Sequence, residues 1–337
     1  MLSLPAGGVT GIGSLPHTDP LEAVEFVAEV CPEIPFWPQL PQRSPSESAV
    51  AQVLAGLEPV LSARPGRAGF SVRRERLKAL LRGLKQGPAE MDNEHAAGFF
   101  AFKNALAAGR FPHAVAVKGQ LLGPVTLAMN LFVHESPFAR DSDLTGALVP
   151  RLTGLIQWQV DRLSRQGRPI VLFIDEPGLA VLAGRILDPD HSHLRVALSL
   201  VVEAGRKAGA TVGLHCCGDF PMAILAQVKP DILSFDAFNG MEGFGKDEAA
   251  RKFIEDGGCV AYGLVPARPT GAKVEARELR RRWKEALGTD LQARAARQSL
   301  VTASCGFADA TIEQARAAFR TSIEIAASLR AVTAIRG

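Results

Sequence analysis

Gly209-Ala210-Thr211-Val212-Gly213-Leu214-His215-Cys216-Cys217-Gly218-Asp219 is a short, mostly apolar run that ends in His-x-Cys and a glycine. Its spacing predicts a strand in which His215 and Cys217 share one face and Cys216 points to the other. An imidazole and a thiolate on one face of a strand end are ligands of the kind zinc takes. A helical pattern, Ser192 to Ala208, leads into this run, and an apolar stretch, Pro230 to Asp236, follows it as the next strand.

Working outward, the alternation continues in both directions. Upstream strands are read at Gly8 to Pro16, Ile34 to Trp37, Val115 to Gln120 and Arg168 to Pro177, and downstream strands at Cys259 to Val265 and Leu300 to Gly306. Helices are expected from Asp19 to about Val30, at Gly123-Pro124-Val125-Thr126, from Pro150 to Gln166, from Glu275 to Leu287 and from Ile312 to Leu329. Ser46 to Glu58, Val72 to Gln86 and Glu94 to Ala108 also look helical, which makes the region of about 45–110 a helical insertion. Roughly eight strands separated by helices predict a parallel α/β fold, a single (β/α)8 TIM barrel spanning residues 1–337. Neither a Gly-x-Gly-x-x-Gly after the first strand nor a P-loop is present.

The composition, 47% hydrophobic and 22% charged over 337 residues, is that of a folded globular chain. A net charge of +3 with arginines scattered along the chain leaves no nucleic-acid footprint. No run of about 18 apolar residues marks a membrane span. Met1 to Gly8 lacks the charged start and apolar core of a signal peptide, and five cysteines make an odd count. The expectation is a cytoplasmic protein whose cysteines serve metal or thiol chemistry rather than disulfides.

In a parallel barrel the functional side chains gather at the C-terminal strand ends. His215 and Cys217 end one strand, Asp236 ends the next and Cys305 ends the last, so the four form a candidate catalytic zinc set with Asp236 as an oxygen ligand. The competing reading makes Asp236 the cap of the following helix and Cys305-Gly306 an ordinary turn. Cys31, Cys216 and Cys259 read as small core residues.

Several motifs stand in one order: Thr10-Gly11-Ile12-Gly13-Ser14-Leu15-Pro16, Gly123-Pro124-Val125-Thr126, Ile174-Asp175-Glu176-Pro177, His215-Cys216-Cys217 and Ser304-Cys305-Gly306. Together they resemble the catalytic, C-terminal half of the cobalamin-independent methionine synthase family, over most of the chain. The resemblance implies a barrel and a zinc held by His215, Cys217 and Cys305 that activates the homocysteine thiol. It implies Ser14 and Asp175 as holders of the amino-acid end of the substrate. A carboxylate suits the substrate ammonium, and the Gly13-Ser14 turn can offer N–H groups to its carboxylate. The decarboxylase of porphyrin synthesis belongs to the same superfamily but lacks this ligand set.

Three features depart from the family pattern. Asp236 stands where the family carries a glutamate ligand. The chain is about one barrel long, whereas the family's full enzyme adds an N-terminal half that helps bind polyglutamyl folate. The segment Gly263-Leu264-Val265-Pro266-Ala267-Arg268-Pro269 carries no acid or histidine where the family delivers a proton to folate. These departures point to a short, core methionine synthase whose methyl donor is a methyl-corrinoid, free or on a corrinoid protein, rather than methyl-folate. The alternatives are a methyltransferase for another small thiol, such as coenzyme M, and a zinc- or thiol-binding protein without turnover.

Overall fold

The computed structural model describes residues 4–64, 66–268 and 274–334. Among these residues eleven strands run in chain order: β1 (Gly8–Val9), β2 (Ser62–Ala63), β3 (Phe70–Val72), β4 (Val117–Leu122), β5 (Leu131–Val133), β6 (Ser136–Pro137), β7 (Ile170–Asp175), β8 (Ala210–Cys216), β9 (Ile232–Phe235), β10 (Cys259–Val265) and β11 (Ser299–Ala303). Seven of them form one curled sheet in the order β1-β11-β10-β9-β8-β7-β4, and every pairing in it is parallel. Their apolar runs suit strands covered on both faces, as β7 shows with Ile170 to Ile174 buried without a break.

The regular ladder stops short of the closed eight-stranded barrel expected from the sequence. Between β1 and β4 lies the segment of residues 34–39, joined only by the single bridges Phe36 to Lys118 and Ser14 to Gln39. Proline explains the interruption: Pro35 and Pro38 have no N–H to give a ladder. The remaining groups still pair, with Lys118 N donating to Pro35 O (2.8 Å), Gln39 N to Gly13 O (3.0 Å) and Leu15 N to Gln39 O (2.9 Å). The first strand is likewise shorter than the expected Gly8 to Pro16, since only Gly8 and Val9 pair with β11.

Helices cover the outside of the curl. Pro20–Val30 starts where expected, with Asp19 Oδ1 accepting from Leu21 N at 2.7 Å and Glu22 N at 3.0 Å, and Pro20 in the first turn. Ser192–Lys207 also falls where its pattern predicts. The helix beginning at Ala276 runs on to Arg297 across a break at Gly288, whose φ is 64°. Inside the curl, Ile12, Ile34, Ala116, Val171, Phe173, Ile232, Ala261 and Leu300 form an apolar plug separate from the larger core. No helix among the described residues is long and apolar enough to cross a membrane.

The insertion of about 45–110 is not wholly helical. It holds the helices Ala49–Val53, Leu77–Gln86 and Ala97–Ala107, but β2 and β3 also lie in it. These join β5 and β6 in a small four-stranded sheet. Val72 was expected to open a helix; instead it pairs with Val133, after a turn in which Gly66 and Gly69 take φ of 68° and 88°.

Two of the sequence motifs prove to be one interlocked unit. Glu176, fully buried just beyond β7, accepts from Val125 N (2.8 Å), Thr126 N (2.7 Å) and Thr126 Oγ1 (2.5 Å) at the start of the helix Pro124–Asn130. A Cβ at Gly123 would lie 2.2 Å from Glu176 Oε1, so only glycine admits this carboxylate. Because hydrogen bonds fix Glu176, it cannot swing aside. Gly123→Ala should therefore lower unfolding free energy by about 1–3 kcal/mol, read from the urea midpoint; an unchanged midpoint would show that the interlock yields.

Candidate metal centre

His215, Cys217 and Cys305 converge. Among the described residues they form a group whose ligand atoms all lie within 4.8 Å of one another. The backbone explains the convergence. β8 pairs with β7 on one side and β9 on the other, so His215 sits between Asp175 and Ser234 in register. Cys305 follows β11, on the far side of β10 from β9, and the curl of the sheet brings it back across the top.

Each donor is prepared for a metal. His215 Nδ1 lies 2.9 Å from the buried Ser234 hydroxyl, which fixes the ring, while its Nε2 is buried with no partner. A histidine whose second nitrogen is oriented by a neighbour is the usual arrangement around zinc. The two thiols lie against each other, and Cys305 lies against His215 as well. The contact with Cys305 holds the Cys217 thiol below its ordinary range, and the contact with Cys217 together with burial pushes the Cys305 thiol up. Two sulfurs beside a buried imidazole nitrogen are a set a divalent cation satisfies, and the soft donors suit zinc.

Asp236 stands outside this group. Its carboxylate caps the helix Ala237–Lys246, accepting from Asn239 N (3.1 Å) and Asn239 Nδ2 (2.7 Å). The expected oxygen ligand thus spends both oxygens on a helix N-terminus, where a short acidic side chain is favoured.

Asp175 and Ser14 reach the same end of the sheet. Asp175 is the register partner of His215, and its Oδ1 is buried without a partner. Burial pushes its carboxyl up to about 6, against the pull of His215 and Lys118. The neighbouring acids therefore divide their work, Glu176 capping a helix and Asp175 left unspent. Ser14 meets the cysteine loop directly: its carbonyl accepts from Phe307 N at 2.8 Å, and a Cβ at Gly306 would come within 2.0 Å of its Oγ. Cys31 and Cys216 are core residues as expected, while Cys259 is only partly buried by surface exposure.

Sequence reasoning passed over Ser234 and Lys118. Both are polar residues inside otherwise apolar strands, fully buried, and that interruption is the signal that could have found them. Arg268, the last described residue of the segment read as lacking an acid, is exposed and lies 3.6 Å from Asp309; Pro269 lies outside the described residues.

No protein-family model matches the chain, and no curated protein matches it. Among solved structures, a methyltransferase from Methanosarcina mazei shares the fold, with a TM-score of 0.51 and 17% identity over 95% of this chain and 94% of that one. A B12-independent methionine synthase from Shewanella sp., solved with selenomethionine, is similar over 64% of this chain and 62% of its own length, with 17% identity and a TM-score of 0.47. The chain thus spans less than two thirds of that synthase. At such identity the Methanosarcina likeness is one of fold, and the chemistry rests on the side chains.

The purified protein should carry stoichiometric zinc, and Cys217→Ala and Cys305→Ala should each lose it. Asp236→Ala should keep the metal and cost about 1 kcal/mol of stability as a lost cap. Ser234→Ala should weaken zinc binding by about tenfold or more. Competition with a chromophoric chelator measures all four, and loss of zinc in Asp236→Ala would return Asp236 to the ligand set.

Proposed function

We propose that this chain is a zinc-dependent thiol methyltransferase that makes methionine from homocysteine, with a methyl-corrinoid as donor. In this reading residues 1–337 form a single domain on a (β/α)8 plan, with residues 34–39 as its eighth stave, working in the cytoplasm. The observation that carries the reading is the convergence of His215, Cys217 and Cys305 beside the unpaired oxygen of Asp175.

His215 Nε2 and the Sγ atoms of Cys217 and Cys305 would hold the metal. A zinc ion there supplies the Lewis acidity that makes a substrate thiol a thiolate at neutral pH. The chain's own residues do the rest. Asp175, half-buried and with its Oδ1 unpaired, accepts a charge-assisted hydrogen bond from the ammonium of an amino-acid thiol. That interaction favours homocysteine over a sulfonate thiol, whose anion calls for a cation at this position. Ser14, against the Cys305 loop, offers its hydroxyl to the substrate carboxylate. Ser234 keeps the imidazole from turning.

The choice of donor follows from what the site lacks. Residues 263–269 carry no acid or histidine. Methyl-folate must have its leaving nitrogen protonated. With a methyl-corrinoid the sulfur–carbon bond forms as the cobalt–carbon bond breaks, the electron pair leaves with cobalt, and no proton donor is needed.

The test is methyl transfer from methylcobalamin to homocysteine by the zinc-loaded chain without folate. Turnover should appear, and Asp175→Asn should lower kcat/KM by about tenfold or more, since a hydrogen bond to a charged group is worth about 1.5–3 kcal/mol. Transfer only from methyl-folate would reject the donor; equal rates for wild type and Asp175→Asn would reject the amino-acid substrate.

A further inference from the structure

The Lys118 side chain is fully buried inside the curl, below the metal-binding group. Its Nζ donates to Ile12 O (2.6 Å) and Gln120 Oε1 (3.0 Å), and it lies 4.4 Å from the centre of the Phe173 ring. Among the described residues no salt bridge holds it, although the charge of Asp175 attracts the ammonium from farther off. Burying an ammonium without a salt-bridge partner is costly, and an apolar side chain of the same length would serve stability better. The residue calls for another explanation, and its contacts supply one.

Lys118 spans the weak seam of the sheet. The seam has an interrupted ladder because Pro35 and Pro38 cannot donate, and the lysine reaches from β4 past residues 34–39 to the carbonyl of Ile12. Ile12 precedes the Gly13-Ser14 turn. That turn rests on two amides, Gln120, which the lysine orders, and Gln39, whose Nε2 donates to Gln52 Oε1 at 2.7 Å: a Cβ at Gly13 would lie 2.5 Å from Gln39 Oε1 and 2.9 Å from Gln120 Cδ. Gln120 is tied in turn to Trp37 O at 2.8 Å. On its other side the turn meets Gly306 and Phe307 through Ser14. A continuous path of contacts therefore runs from Lys118 through Ile12 and Ser14 to the residue next to Cys305.

We propose that Lys118 is a positioning residue for the thiol substrate: by clamping Ile12 and Gln120 across the seam, it sets the Gly13-Ser14 turn against the Cys305-Gly306 turn. It thereby fixes the distance between the place where the amino-acid end is held and the sulfur that binds the metal. The inference rests on the amino-acid thiol of the proposed function and adds a residue that touches neither substrate nor metal.

The test uses the full chain loaded with cobalt(II), whose sulfur-to-metal absorption reports each thiolate bound. Homocysteine is titrated into wild type, Lys118→Met, Ser14→Ala and the double variant. Lys118→Met should take up cobalt fully and melt cooperatively, yet bind homocysteine about tenfold more weakly, as when a supporting residue around a metal site is lost. Adding it to Ser14→Ala should cost little more, because both act through one turn. Unchanged affinity in Lys118→Met, or losses that simply add, would overturn the clamp. If Lys118→Met does not fold, Gln120→Met removes one leg of the clamp and is read the same way. If wild type takes up cobalt but shows no response to homocysteine, the proposed substrate falls. The clamp is then judged on the resting absorption bands, which Lys118→Met shifts if the turn sets Cys305 and leaves unchanged if it does not.

Discussion

Two partly exposed sulfurs and a buried imidazole nitrogen stand in one corner of the sheet, all within 4.8 Å of one another. His215 is 2% exposed, and its Nε2 finds no hydrogen-bond donor or acceptor in good geometry. Donors gathered in this way are drawn together by a cation that binds all three. Much of the surrounding rim serves to maintain this grouping. Ser234 holds the ring, the parallel register sets His215 beside Asp175, and the Ser14 turn backs the loop that carries Cys305.

The adjacent acids of β7's end show how burial divides labour. Glu176 meets two backbone N–H groups and a hydroxyl, so its carboxylate has a structural use although burial pushes it up to about 7. Asp175, one residue earlier, faces the interior with one oxygen that finds no hydrogen-bond partner among the described residues. Alternation along a strand sends neighbours to opposite faces. One acid builds the helix that leaves the neighbouring strand, and the other keeps an oxygen free beside His215.

Much of this was legible in the sequence because it depends on local order. The apolar runs of β8, β9 and β11 lead into chemistry-bearing residues, and a parallel sheet carries those ends to one side, so His215, Cys217 and Cys305 could be grouped before any coordinates, with Asp236 beside them, while Asp175 entered through the family resemblance. What stayed hidden depends on competition between partners. Asp236 was equally suited to cap or to coordinate, and in the structure it caps, with Asn239 Nδ2 on its second oxygen. The small sheet of β2, β3, β5 and β6 escaped notice because its strands are two or three residues long, too short for a periodicity to register. The missing ladder at residues 34–39 was signalled by Pro35 and Pro38, yet the segment was still read as a strand, since apolar content outweighed the lost donors.

The apolar plug of Ile12, Ile34, Ala116, Val171, Phe173, Ile232, Ala261 and Leu300 fills the inside of the curl beneath the polar rim. It closes the inside of the curl below the strand ends that carry His215 and Asp175. On the proposed reading, both partners of the transfer would then approach from the strand-end side, with the small acceptor seated below a bulkier donor.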